Sequence, residues 1–249
     1  MLYDAQYLYW MIPAVLLSLW ANWRVKTNFA KGLQVTARCG LTGAEAAERV
    51  LKQSGTIATV EETEGTLSDH YDSSAKVLRL SKDVYEGKSL SSLGVACHEA
   101  GHAIQDGMGY PFLKLRNLIV PMASFGSNTG MILIMAGLGL LAAENLLGHW
   151  VLIAGIAAFS LTVLFQLINL PVEFDATRRG RENLIKAGLV GVDEEQVIGK
   201  VLEAAAMTYV AATLTATVQL IYWIQRAFKQ RRRSPQTPRR QPPCPGTRS

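Results

Sequence analysis

The chain has 249 residues, 49% of them hydrophobic and only 18% charged, with a formal net charge of +5 and a mean hydropathy of +0.14. A soluble domain is about 25% charged, so roughly 17 expected charges are missing, which excludes a disordered chain and a purely soluble one. Three widely spaced cysteines, Cys39, Cys97 and Cys244, cannot build a disulfide framework.

The apolar excess is concentrated. Residues 8–23 (LYWMIPAVLLSLWANW) are uncharged, with aromatics at both ends, and Arg24 and Lys26 follow. The preceding MLYDAQY has no Lys or Arg, so it lacks the basic n-region of a cleaved leader and reads as part of a retained anchor. Residues 24–60 read as two helices. Thr42 and Glu45 have capping-box spacing at the start of the second, and Gly55 ends it. Ile57, Thr59 and Val60 suggest a strand, SDHYDSS a turn, and Lys76–Leu80 a half-exposed edge strand whose Lys and Arg face outward. A helix over 89–106 follows.

Residues 128–143 and 150–171 are apolar runs around the short turn 144–149, together a membrane hairpin. Helices are expected at 173–187 and 193–203. A fourth apolar stretch, 204–224, contains four threonines and Gln219, and it either spans or packs against the others. Basic residues flank the spans on one face: Arg24, Lys26 and Lys31, then Lys114 and Arg116, then Arg178, Arg179, Arg181 and Lys186. The positive-inside rule puts that face in the cytoplasm. If 204–224 spans, the arginines at 231–233 fall on the other side, which the rule disfavours. The Pro-rich basic tail reads as disordered.

The organisation expected is mainly α and polytopic. It comprises an anchor (1–23), a cytoplasmic region (24–127), a membrane hairpin (128–171), cytoplasmic helices (172–203), a fourth apolar helix (204–224) and a disordered basic tail (225–249).

Chemistry concentrates in His98-Glu99-Ala100-Gly101-His102, an H-E-x-x-H on the helix expected at 89–106. The i, i+4 spacing puts both imidazoles on one helical face, where they can share a zinc ion, and Glu99 is placed to take a proton from a bound water. A catalytic zinc needs a third protein ligand and an open position. His149 lies across the membrane. His70 is possible. Glu173 and Asp175, just after Pro171, lie about 200° apart on a helix, so only one of them can face the metal. Cys97 reads as a small buried helix residue, and His70, Tyr71 and Tyr85 are weak candidates for stabilising an oxyanion.

HEAGHAIQ, two apolar helices and then LPVEFDATRRG, behind an MLYDAQY anchor, resemble the YugP-like neutral zinc metallopeptidases of bacterial membranes over about residues 1–225. The combination is also similar to the HtpX-type membrane gluzincins, whose metal-ligating Glu lies in an E-x-x-x-D segment after a membrane hairpin. The resemblance implies three or four transmembrane helices with a small α+β zincin-like cytoplasmic domain, and peptide-bond hydrolysis with Zn2+ as cofactor. It implies His98, His102 and Glu173 as ligands, Asp175 as the fallback, and Glu99 as the catalytic base. Thr177 stands where the gluzincin segment has Asp, so the role of that Asp is unassigned.

The expected partners are protein or peptide substrates, membrane proteins among them, and the lipid bilayer. The strand at 76–80 would pair with an extended substrate. Nucleic acid is not expected, because the basic tail has no aromatics for stacking bases, whereas anionic lipid attracts it at about 1 kcal/mol per basic residue. The absence of an L-D-G segment, and the polar YEGKS before the zinc helix, argue against an intramembrane site-2-type protease. The competing class is a zinc-stabilised membrane scaffold without catalysis.

Overall fold

Four long helices carry the architecture of the computed structural model, which describes residues 5–65 and 68–233. The chain runs α1 (Ala5–Leu33), α2 (Gly43–Ser54), β1 (Thr59–Thr63), β2 (His70–Asp72), β3 (Val77–Ser81), α3 (Lys82–Tyr85), α4 (Leu90–Gly107), α5 (Pro111–Ala142), α6 (Leu147–Lys186) and α7 (Val192–Arg233). It is mainly helical, as expected.

Among the described residues, α5, α6 and α7 are long and apolar enough to cross a membrane. The stretch 204–224 therefore meets the criterion, and the weaker 8–23 stretch does not. Its Tyr, Trp and Asn22 dilute an otherwise apolar face on which Ile12, Leu16 and Leu19 are exposed.

The long helices outrun the spans expected from sequence. α6 has 40 residues, roughly 60 Å at 1.5 Å per residue, about twice a hydrocarbon core of 30 Å. The hairpin segment 150–171 and the helix expected at 173–187 are thus one rod with Pro171 inside it. Residues 193–203, 204–224 and 225–233 likewise form one helix, α7. The first residues of the tail expected to be disordered are therefore helical, and 234–249, with Cys244, lie outside the described residues.

α5 and α6 pack as a close antiparallel pair. At Gly137 an added Cβ would lie 2.5 Å from the Leu152 backbone nitrogen, the small-residue contact that lets membrane helices approach. α1 packs antiparallel on α7. The Tyr7 ring sits 5.0 Å from Tyr222, Lys229 Nζ bonds Gln6 at 2.9 Å, and Ser18 meets Thr215 midway. At the opposite end Ser91 of α4 donates to the Phe29 carbonyl of α1 at 2.8 Å.

Beyond one end of the long helices lies a small domain. α2 begins with the expected capping box: Glu45 N donates to Thr42 Oγ1 at 3.2 Å and Thr42 N to Glu45 Oε2 at 2.8 Å. It ends at Gly55, in the left-handed conformation with φ 69°. Val50, Leu51, Leu78, Leu80, Leu93 and Ala100 form its core with Leu184, Ile198 and Leu202 of the long helices.

The sheet corrects one expectation. Its order is β1-β3-β2, with β3 parallel to β1 and antiparallel to β2. Strand 77–81 is therefore central and largely buried, and the segment expected as a turn supplies the edge strand β2. Arg79 looked like an outward edge residue, but it is held by Asp72 of β2 at 2.7 Å.

Candidate metal centre

α4 is fixed at its N-terminus by Ser89, whose hydroxyl accepts from Ser92 N at 3.0 Å, and it runs beneath α6. The two helices meet through glycines. A Cβ on Gly101 would lie 2.2 Å from the Ala176 carbonyl oxygen, and one on Gly180 2.4 Å from the Cys97 carbonyl oxygen. No other residue permits this approach, and the approach carries a carboxylate of α6 to the imidazoles of α4. Gly101 is the second variable residue of the H-E-x-x-H.

Glu173 Oε2 lies 3.4 Å from His98 Nε2 and 3.6 Å from His102 Nε2. The three ligand atoms all fall within 4.8 Å of one another. Two ligands of a tetrahedral zinc, bonded at about 2.0–2.1 Å, stand roughly 3.4 Å apart, so the donor set fits the ion. Glu173 is 2% exposed, yet its Oε2 has no hydrogen-bond partner. A buried carboxylate oxygen left bare is costly unless a cation meets it. Burial opposes charge on His102, but the Glu173 carboxylate outweighs it and holds the His102 pKa above the ordinary histidine value. The group attracts positive charge.

Each imidazole is oriented through its other nitrogen. His98 Nδ1 pairs with Thr177 Oγ1 and His102 Nδ1 with Gln105 Oε1, both at 3.1 Å, leaving the Nε2 atoms toward Glu173. Thr177 thus does with a hydroxyl what a supporting carboxylate does elsewhere. Gln105 is itself anchored, donating through Nε2 to the Val172 carbonyl at 2.8 Å and to Asp175 Oδ2 at 3.0 Å. Asp175 is held by Arg179 and Arg178. Burial works against its charge, but hydrogen bonds from Arg179, Gln105 and Arg178 prevail and lower its pKa. It stands behind the site, not in it.

Glu99 is 8% exposed and lines two hollows that meet at the group, one of about 240 Å³ and one of about 130 Å³. Tyr209 of α7 lines both and interacts with Glu173 and Glu99. None of the other candidates joins the metal group. His70 lines the smaller hollow, but its Nδ1 is engaged by the Ser68 carbonyl at 2.7 Å. The Tyr71 hydroxyl donates to Asp106 at 2.7 Å, Tyr85 packs against the core, and His149 sits beside Trp150 at the far end of α6. Cys97 is buried, as expected.

Sequence reasoning missed Gln105 and Tyr209 and left Thr177 without a role. Helical spacing carried a signal for two of them: Gln105 is three residues past His102, and Thr177 is four past Glu173. Tyr209 carried none, since it arrives from a distant helix.

A family model described as "Putative neutral zinc metallopeptidase" matches residues 7–228. The chain is 43% identical over 219 residues to the "Putative membrane protease YugP" of Bacillus subtilis (strain 168), covering 88% of this chain and 95% of that protein. No solved structure matches. With a match that runs through all four long helices and the buried His–His–Glu group, the chain belongs to this family of neutral zinc metallopeptidases.

Proposed function

We propose that the chain is a multipass membrane endopeptidase with its site on the cytoplasmic side, just beyond the lipid. The carrying observation is the bare, buried Glu173 Oε2 faced by two oriented imidazoles, with Glu99 beside them. His98, His102 and Glu173 would hold a zinc ion, which when bound lowers the pKa of a water and polarises a carbonyl. Glu99 then accepts the proton of the attacking water and returns it to the leaving amine. Tyr209, whose hydroxyl lies against the carboxylates, donates to the developing oxyanion. The extended substrate pairs with the edge strand β2, whose His70 and Tyr71 border the smaller hollow, in place of strand 77–81.

Helix lengths and charge support this membrane placement. Glu173 stands two residues beyond the apolar run of α6, and the site end of the bundle carries Arg24, Lys26, Lys114, Arg178, Arg179 and Lys186. α1 completes a bundle of four crossings, its exposed apolar face turned to lipid.

Metal content and casein hydrolysis of detergent-purified protein test the reading. Wild type should carry one equivalent of zinc, Glu173→Ala should lose it, and Asp175→Ala should keep it. Glu99→Gln should keep the metal and lose about 10²–10⁴-fold in rate. Full activity in Glu99→Gln refutes the base assignment. Wild type that binds zinc but cleaves nothing is instead a zinc-stabilised scaffold.

A further inference from the structure

The two hollows that meet at Glu99 differ in chemistry. The larger is walled by Val25 and Phe29 of α1, Val95 of α4, and Leu202 and Ala205 of α7. The smaller is polar, bordered by Asp69, His70, Asn117 and Arg116. Arg116 is the one arginine or lysine lining it, within electrostatic reach of His102 and Tyr209. Among the described residues no carboxylate forms an ion pair with Arg116, and its Nε is buried with no hydrogen-bond partner. Neighbouring arginines are all engaged: Arg178 and Arg179 by Asp175, Arg181 by Glu195. A guanidinium kept partly buried and unpaired beside a reaction centre is a fork shaped for a carboxylate supplied from outside.

We propose that Arg116 binds a carboxylate of the substrate, so that the enzyme cleaves peptides bearing a carboxylate on one side of the scissile bond and a bulky apolar side chain on the other. This rests on the endopeptidase reading and names its substrate class. The carboxylate comes from an acidic side chain or, where the scissile bond lies near the end of a peptide, from its free C-terminus. In either case Arg116 captures it in the polar hollow, while the opposite side chain fills the apolar one between α1 and α7. The two chambers thereby fix the direction in which the peptide lies across the site.

The test uses full-length zinc-loaded protein in detergent and quenched-fluorescent peptides with a central Leu or Phe. Glu, Gln or Lys is placed in turn at each position flanking the bond, and each peptide is made as free acid and as C-terminal amide. Wild type should favour Glu over Gln at one position, or free acid over amide, by about tenfold in kcat/KM. Which pair differs identifies the source of the carboxylate. Arg116→Gln should erase the preference and Arg116→Glu should turn it toward Lys. The same order should appear in Kd, by fluorescence anisotropy of labelled peptides on the Glu99→Gln protein.

Wild type that hydrolyses all these peptides without regard to charge overturns this inference and leaves the endopeptidase standing. So does an Arg116→Gln variant that slows every peptide equally at unchanged KM, since the guanidinium then serves the oxyanion. Metal-loaded wild type that hydrolyses none of them overturns both.

Discussion

Replacing Gly101 with alanine separates the role of the α4–α6 crossing from that of the ligands themselves. The new Cβ would stand 2.2 Å from the Ala176 carbonyl oxygen, whereas ordinary contact begins at 3.4 Å. The obstacle is backbone on both sides, so no side chain can swing away, and α6 must retreat by about 1 Å. Glu173 lies three residues before Ala176 on that helix and retreats with it. Its distances to His98 and His102, now 3.4 and 3.6 Å, widen beyond what bonds of about 2.0–2.1 Å can bridge. Altering a supporting partner alone weakens metal binding about 10–100-fold, so displacing a ligand should lower zinc affinity about 100-fold. Overpacking should remove a further 1–3 kcal/mol of stability in the metal-free protein. Chelator competition gives the first quantity, and thermal unfolding with and without zinc gives the second. Gly180→Ala, blocked by the Cys97 carbonyl at 2.4 Å, should behave alike, while Gly139→Ala in α5, with nothing within 4 Å, should change neither. Wild-type zinc affinity in Gly101→Ala would refute the close crossing as the device that delivers Glu173.

Three other outcomes follow from the same geometry. Thr177→Val and Gln105→Leu each free one imidazole nitrogen, and each should weaken zinc binding about 10–100-fold by chelator competition without unfolding the protein. Tyr209→Phe should retain zinc and KM but lower kcat about 10²–10³-fold, as expected for removal of an oxyanion donor; an unchanged kcat would exclude it from the reaction. Cysteines introduced at Gln6 and Lys229, which touch at 2.9 Å, should react with a membrane-impermeant thiol reagent from the same side of oriented vesicles. A cysteine at Lys186 should react only from the other.

The helix bearing H-E-x-x-H, the capping box at Thr42 and the apolar helical hairpin were legible because each is local. Helical period, cap spacing and apolar run length act within a few residues. The place just after Pro171 made Glu173 and Asp175 the leading third-ligand candidates and helical angle allowed only one of them; spacing could not choose, and only the family resemblance favoured Glu173. The structure separates them through partners from elsewhere: two imidazoles meet Glu173, while Arg178, Arg179 and Gln105 occupy Asp175. Strand 77–81 was misplaced to the edge because Lys76 and Arg79 looked solvent-facing. Sheet order depends on which strands pair, and Asp72 on a three-residue neighbour absorbs the Arg79 charge.

The amino-acid sequence by itself determined that this is a mainly helical chain with long apolar helices and that two histidines one turn apart stand ready for a metal. These follow from periodicity and composition, which a linear string displays in full. Tertiary structure alone decided that Glu173 completes the group, that Thr177 and Gln105 aim the imidazoles, and that α7 runs through the bundle to bring Tyr209 over the site. Each is a contact between segments far apart in the chain. The physical link is a crossing of two helices at Gly101 and Gly180, close enough that backbone touches backbone.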